Sequence, residues 1–180
     1  MQQNAENTRT DARQEEQGLR RSILIHRSPE ELYHLWRDPG TLPRIMHHFA
    51  IITILSDTSS RWQVKLPLGR KLEWDAHIVD EQPGRYISWA SDDKASVPNA
   101  GRLSFQPVSD ERGTEVTLAM HFDPPGGFLG EWLSKKMDVV PEAMLSQALR
   151  RFKSLAETGE IATNVPQPAG RHGGMDKAEE

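Results

Sequence analysis

The sequence predicts an α+β fold: a curved antiparallel sheet of seven strands wrapped around a long C-terminal helix, with two short helices after the first strand. Between Ala50 and Phe122 apolar residues recur at every second position, as in strands with one covered and one wet face. After Pro141 they recur at about 3.6, the period of an amphipathic helix. Between the first apolar run and these strands stands a strong helix start.

Taken in order, the folded part begins at Leu19, and Ile23-Leu24-Ile25 form a short β-type run. Ser28-Pro29-Glu30-Glu31 then supplies an N-cap serine, a proline at the first helical position and a glutamate three residues after the cap. Leu32, Leu35 and Trp36 give that helix an apolar face, and Asp38-Pro39-Gly40 ends it; a second helix covers roughly Leu42 to His47. Six strands follow, over Ala50–Leu55, Arg61–Leu66, Leu72–Val79, Arg85–Ser91, Gly101–Pro107 and Thr114–Phe122. Turn residues part them at Asp57-Thr58-Ser59-Ser60, Pro67-Leu68-Gly69, Gln82-Pro83-Gly84, Asp92-Asp93 and Glu111-Arg112-Gly113. Phe128, Leu129, Trp132, Leu133 and Met137 suggest a helical stretch after the Pro124-Pro125-Gly126-Gly127 turn. The long helix then opens at Pro141 and stops at Gly159.

Polar composition marks residues 1–18 and 161–180 as disordered ends around one domain, 19–160. The chain has 22 Lys plus Arg and 26 Asp plus Glu, a net charge of −4. That excess lies at the two ends, and 19–157 is neutral. A neutral fold offers no basic footprint for nucleic acid and no polybasic segment for anionic membranes. With zero cysteines there is no disulfide, thiolate metal site or cysteine nucleophile. The N-terminus has no apolar leader segment, and the Phe49–Leu55 run is too short to span a bilayer. The expected location is therefore cytoplasmic.

No chemistry-bearing motif stands out. Seven histidines are present, yet none makes an H-E-x-x-H or similar spacing; His47 and His48 point about 100° apart on a helix, and His77 and His121 fall on wet faces. No nucleophile elbow or phosphate loop occurs. Glu73 and Asp75 share one face of a strand, where cross-strand partners such as Arg61 or Lys65 explain them better than acid–base work. Arg37 and Asp38, at the end of the first helix, suit a functional role, and a cap or ion pair explains them at least as well. The reading thus assigns no catalytic residue, no metal and no cofactor.

A sheet curled over a helix either packs solid or leaves a hollow. The candidate lining residues are Trp62, Val64, Trp74, Ala76, Ile87 and Trp89 from the middle strands, and Leu103, Phe105, Val116, Leu118 and Met120 from the last two. Met144, Ala148 and Phe152 complete them from the helix. Trp62, Trp74 and Trp89 suit a flat aromatic guest and suit a dense core equally.

Further signals are Tyr33, Trp36-Arg37-Asp38-Pro39, Leu42-Pro43, Glu73-Trp74-Asp75-Ala76, Ile87-Ser88-Trp89, Arg112-Gly113-Thr114-Glu115-Val116, Leu149-Arg150-Arg151-Phe152-Lys153 and Glu157-Thr158-Gly159-Glu160. With the Ser28-Pro29-Glu30-Glu31 start, these resemble the polyketide cyclase/dehydrase and coenzyme Q-binding branch of the START-like (SRPBCC, helix-grip) superfamily over about residues 20–160. The resemblance implies a helix-grip fold and a hydrophobic cavity for a lipid, quinone or polyketide. The expected role is binding, transport or chaperoning of such a molecule without catalysis. A polyketide aromatase/cyclase and a protein-interaction module of the same fold are the alternatives.

Overall fold

The computed structural model describes residues 18–65, 69, 71–95, 98–109, 112–122 and 141–161. The expected stretch over Phe128–Met137, the turn at Pro67-Leu68, the end of the second predicted strand of the meander at Leu66, and the terminal segments apart from residues 18 and 161 lie outside them.

Strand β1 (Leu19–Ile25) leads into helix α1 (Pro29–Arg37) through Ser28. The serine side chain accepts from the Glu31 backbone N–H, and the Glu31 carboxylate accepts from the Ser28 backbone N–H at 2.9 Å, satisfying two donors that a helix start leaves orphaned. Asp38 ends α1, and its carboxylate accepts from the Gly40 N–H at 2.8 Å. Helix α2 (Thr41–Met46) follows at once.

The remaining strands are β2 (Ile51–Ile54), β3 (Ser59–Lys65), β4 (Lys71–Gln82), β5 (Tyr86–Ser91), β6 (Asn99–Pro107) and β7 (Thr114–Phe122), and α3 (Pro141–Thr158) closes the fold. The sheet is antiparallel in the order β1-β7-β6-β5-β4-β3-β2, so consecutive strands of the meander are neighbours and β1 joins at the far edge beside β7. α3 lies against β1 and α2, and α1 lies over β6. Phe152, Leu103, Leu118 and Val116 are fully buried in the core between sheet and helices. Gly113 serves the β6–β7 turn at φ +124°, and a Cβ there would sit 2.3 Å from the Ile25 carbonyl oxygen.

The element order matches the sequence reading, with one departure that matters for the site. β4 runs past Val79 to Gln82 because the ladder shifts register between Ile78 and Asp80. A bulge inserts one residue and resets the alternation. Trp74, Ala76 and Ile78 face the helices, the exposed Val79 takes up the extra position, and Glu81, paired with the buried Ile87, turns inward. Simple alternation would have sent that carboxylate to solvent.

Candidate functional site

A pocket of about 280 Å³ opens at the end of the sheet where the turn between α1 and α2 meets strands β3, β4 and β5. Trp36 from α1, Leu42 and Met46 from α2, Ile54 from β2, and Trp62, Ala76, Ile78, Ile87 and Trp89 from the covered face of the sheet form its apolar wall. Ser56 to Thr58 of the β2–β3 turn, with Ser59 and Ser60 at the start of β3, form a hydroxyl-rich rim with Arg37 and Asp38.

Two of the indoles are held firmly. Trp62 donates its N–H to Ser60 Oγ at 3.0 Å and stacks on its cross-strand partner Trp74, with centroids 5.9 Å apart and rings inclined by 14°. Trp36 meets the fully buried Phe152 edge-on at 5.1 Å, tying the pocket wall to α3. Such aromatic pairs contribute about 0.5–1.5 kcal/mol beyond the area they bury. Trp89 is only partly buried and lies over Gly101 on β6.

The inward turn of Glu81 supplies the polar strut behind the rim. Its Oε2 accepts from the Tyr33 hydroxyl at 3.0 Å and pairs with Arg37 Nε at 3.0 Å, while Arg37 Nη1 donates to the Asp57 carbonyl at 2.7 Å. One guanidinium thus connects α1, β4 and the β2–β3 turn. Burial, and next the neighbouring Glu81 carboxylate, push the Tyr33 phenol above its ordinary value, so it stays a donor at neutral pH.

Of the residues expected to line a hollow, Trp62, Ala76, Ile87 and Trp89 stand around this pocket. Leu118, Met120, Met144 and Ala148 surround, together with Trp62, a second space of only about 10 Å³ beside α3. Val64, Trp74, Leu103, Phe105, Val116 and Phe152 are buried in the packed core. Sequence reasoning did not name Trp36, Leu42, Met46, Ile54 or the Ser56–Ser60 rim as lining, and it did not find Glu81. The Trp36-Arg37-Asp38 run was the one signal that pointed there.

Most of the other polar candidates sit elsewhere. Asp75 receives a two-pronged bond from Arg61 (2.7 and 2.8 Å) on the outer face, which holds its carboxyl below the usual range; Glu73 shares the same arginine at 3.9 Å. Lys65 stands opposite Lys71, not a carboxylate. His77 is itself a lining residue of the pocket, but by strand alternation its imidazole projects on the opposite face from Ala76 and Ile78, where it meets Asp92 at 3.1 Å. His48 is half-buried between α2 and α3, its Nδ1 against the Ile45 carbonyl at 3.0 Å, and burial lowers its pKa so that the ring is neutral. Among the described residues no group of three His, Asp or Glu is placed to hold a metal ion, and no helix is long and apolar enough to cross a membrane.

The family model for polyketide cyclase/dehydrase and lipid transport proteins matches residues 25–153. A crystal structure from Deinococcus radiodurans is 33% identical, with a TM-score of 0.62, covering 79% of this chain and 98% of that one. A Thermus thermophilus structure is 20% identical, covering 77% and 96%, with a TM-score of 0.61. The di-domain ARO/CYC StfQ of the steffimycin biosynthetic pathway is 16% identical; the match covers 78% of this chain and 50% of that one, with a TM-score of 0.56. These last two share the fold. A comparison with curated proteins finds no match.

Proposed function

Because the chain belongs to the polyketide cyclase/dehydrase and lipid transport family, we propose that it binds one apolar small molecule in the pocket between the α1–α2 turn and strands β3–β5. The single observation that supports this is the pocket itself, about 280 Å³ of space walled by Trp36, Trp62, Trp89, Ile87 and Leu42. Side chains of that kind around a concave space are what ligand sites use.

The volume sets the size of the guest. Sites for drug-sized molecules run from about 300 to 1,000 Å³, so this one suits one or two fused rings, or a short segment of a lipid or quinone. A two-ring guest buries about the 150–250 Å² of an aromatic side chain. At about 25 cal/mol per Å² that contributes roughly 4–6 kcal/mol before the cost of association, so binding is weak.

The tryptophans supply the test. The chain has five of them, hence five indole N–H signals in a ¹H–¹⁵N spectrum, assignable by single Trp→Phe variants. Titration with 2-methylnaphthalene should shift the signals of Trp36, Trp62 and Trp89 more than that of Trp74, which stands behind Trp62. Shifts spread evenly over all signals, or none at all up to the solubility limit, defeat the proposal.

A further inference from the structure

We infer that this pocket selects ring compounds whose polar end is neutral and donates a hydrogen bond, and that it discriminates against carboxylates of the same shape. The inference rests on the binding reading above and adds the chemistry of the polar end.

It follows from what the rim has left to offer. Arg37 is the only Lys or Arg among the described residues that line the pocket. Its guanidinium is already engaged, by Glu81 Oε2 at 3.0 Å and by the Asp57 carbonyl at 2.7 Å. Its positive charge is balanced by the Glu81 carboxylate, which is only 27% exposed, so a ligand anion would compete with a charge already in place. His77 also lines the pocket, but its imidazole lies on the other face of β4 and meets Asp92 at 3.1 Å. Among the described residues, no Lys or Arg faces the pocket without a carboxylate already balancing it.

Acceptors are plentiful by contrast. Asp57 lines the rim, and its carboxylate makes no hydrogen bond or ion pair among the described residues. Asp38 lines it too, and among the described residues its carboxylate accepts only the Gly40 N–H, at 2.8 Å. The same rim carries the hydroxyl-bearing residues Ser56, Thr58, Ser59 and Ser60. Arg37 and Glu81 cancel each other, so the rim presents two net negative charges beside an apolar wall. A phenol-type O–H finds a partner at such a rim, whereas a carboxylate meets repulsion and loses its hydration without compensation. Both carboxylates are exposed to solvent, which screens the effect. We therefore expect a preference of about tenfold in Kd.

The experiment compares 2-naphthol, 2-naphthoate and 2-methylnaphthalene on the full-length protein at pH 7 and low salt, following the indole N–H signals. The expected result is a Kd for 2-naphthol about tenfold below that for 2-naphthoate. The Asp57→Asn variant, whose change lies at an exposed side chain with no partner to lose, should narrow the gap, as should raising the salt to about 0.5 M. Equal or tighter binding of 2-naphthoate overturns the selectivity while leaving the pocket reading standing. Silence from all three compounds, the headless 2-methylnaphthalene included, overturns the pocket reading and the selectivity with it.

Discussion

The indole of Trp89 occupies the space that a side chain at Gly101 would need. The two residues are cross-strand partners on β5 and β6, and a Cβ built on Gly101 would lie 2.3 Å from Trp89 Cζ2 and 2.6 Å from Cε2. The atoms it meets belong to a rigid ring and not to a flexible tip, so the ring must move as a whole. Trp89 also walls the pocket, which makes the glycine a determinant of pocket shape.

Gly101→Ala should therefore displace the Trp89 ring and change the pocket. Overpacking of this kind costs about 1–3 kcal/mol. We expect that loss in urea unfolding, a changed Trp89 indole N–H shift in the free protein, and weaker 2-methylnaphthalene binding. An unaltered Trp89 signal in the variant contradicts the contact.

Arg37→Met should loosen the rim. It removes the ion pair to Glu81 and the bond to the Asp57 carbonyl while keeping much of the side chain's apolar length. The half-buried Glu81 carboxylate keeps only the Tyr33 hydroxyl, at a cost of about 1–3 kcal/mol. Glu81→Gln retains an acceptor for Tyr33 and should cost less. Equal stability of the two variants, measured by urea unfolding, counts against the strut.

These residues also show where the sequence was legible. The strands and the Ser28–Glu31 cap were, because period-two alternation and a capping box are local patterns. Glu81 was not, because a bulge at Val79 is fixed by the pairing of β4 with β5 and leaves no local mark. Asp57 to Ser60 read as a turn, whereas β3 already begins at Ser59; only the packing of α1 over the sheet brings Arg37 to this rim. Leu103 and Trp89 both lie on covered positions, yet one is fully buried and the other edges a pocket. Whether facing side chains meet or leave space depends on the approach of α1 and α3, which no residue spacing encodes. The fold was therefore far easier to find than the site.

Phe152→Ala should be among the costliest single changes. The ring is fully buried and abuts Trp36 edge-on at 5.1 Å. Such truncations cost about 3–5 kcal/mol. Because Trp36 walls the pocket, its indole N–H signal should move as well, and Phe152→Leu should restore most of both. A stability loss with no response at Trp36 would mean that α3 does not support the pocket wall.

Acid should weaken the fold through three carboxylates tied to different parts of it. The Ser28 backbone N–H and then its hydroxyl hold Glu31 low, the Arg61 fork holds Asp75 low, and the His26 backbone N–H, followed by the His26 ring, does the same for Glu157. In each case the folded-state pKa lies below the unfolded one, so the unfolded chain binds more protons in the window between them. Each contribution is complete above the unfolded value, near pH 4–4.5, and is lost as pH falls through the folded value. Glu157 gives the clearest test, because it ties the end of α3 to the segment after β1: its Oε1 accepts from the His26 N–H at 2.9 Å, and Lys153 lies 3.6 Å away. Glu157→Gln should be less stable than the parent chain at pH 7 in urea unfolding, and the difference should shrink toward zero between about pH 5 and pH 2. A gap that stays constant across that range would place the effect of the substitution in packing and not in the charge.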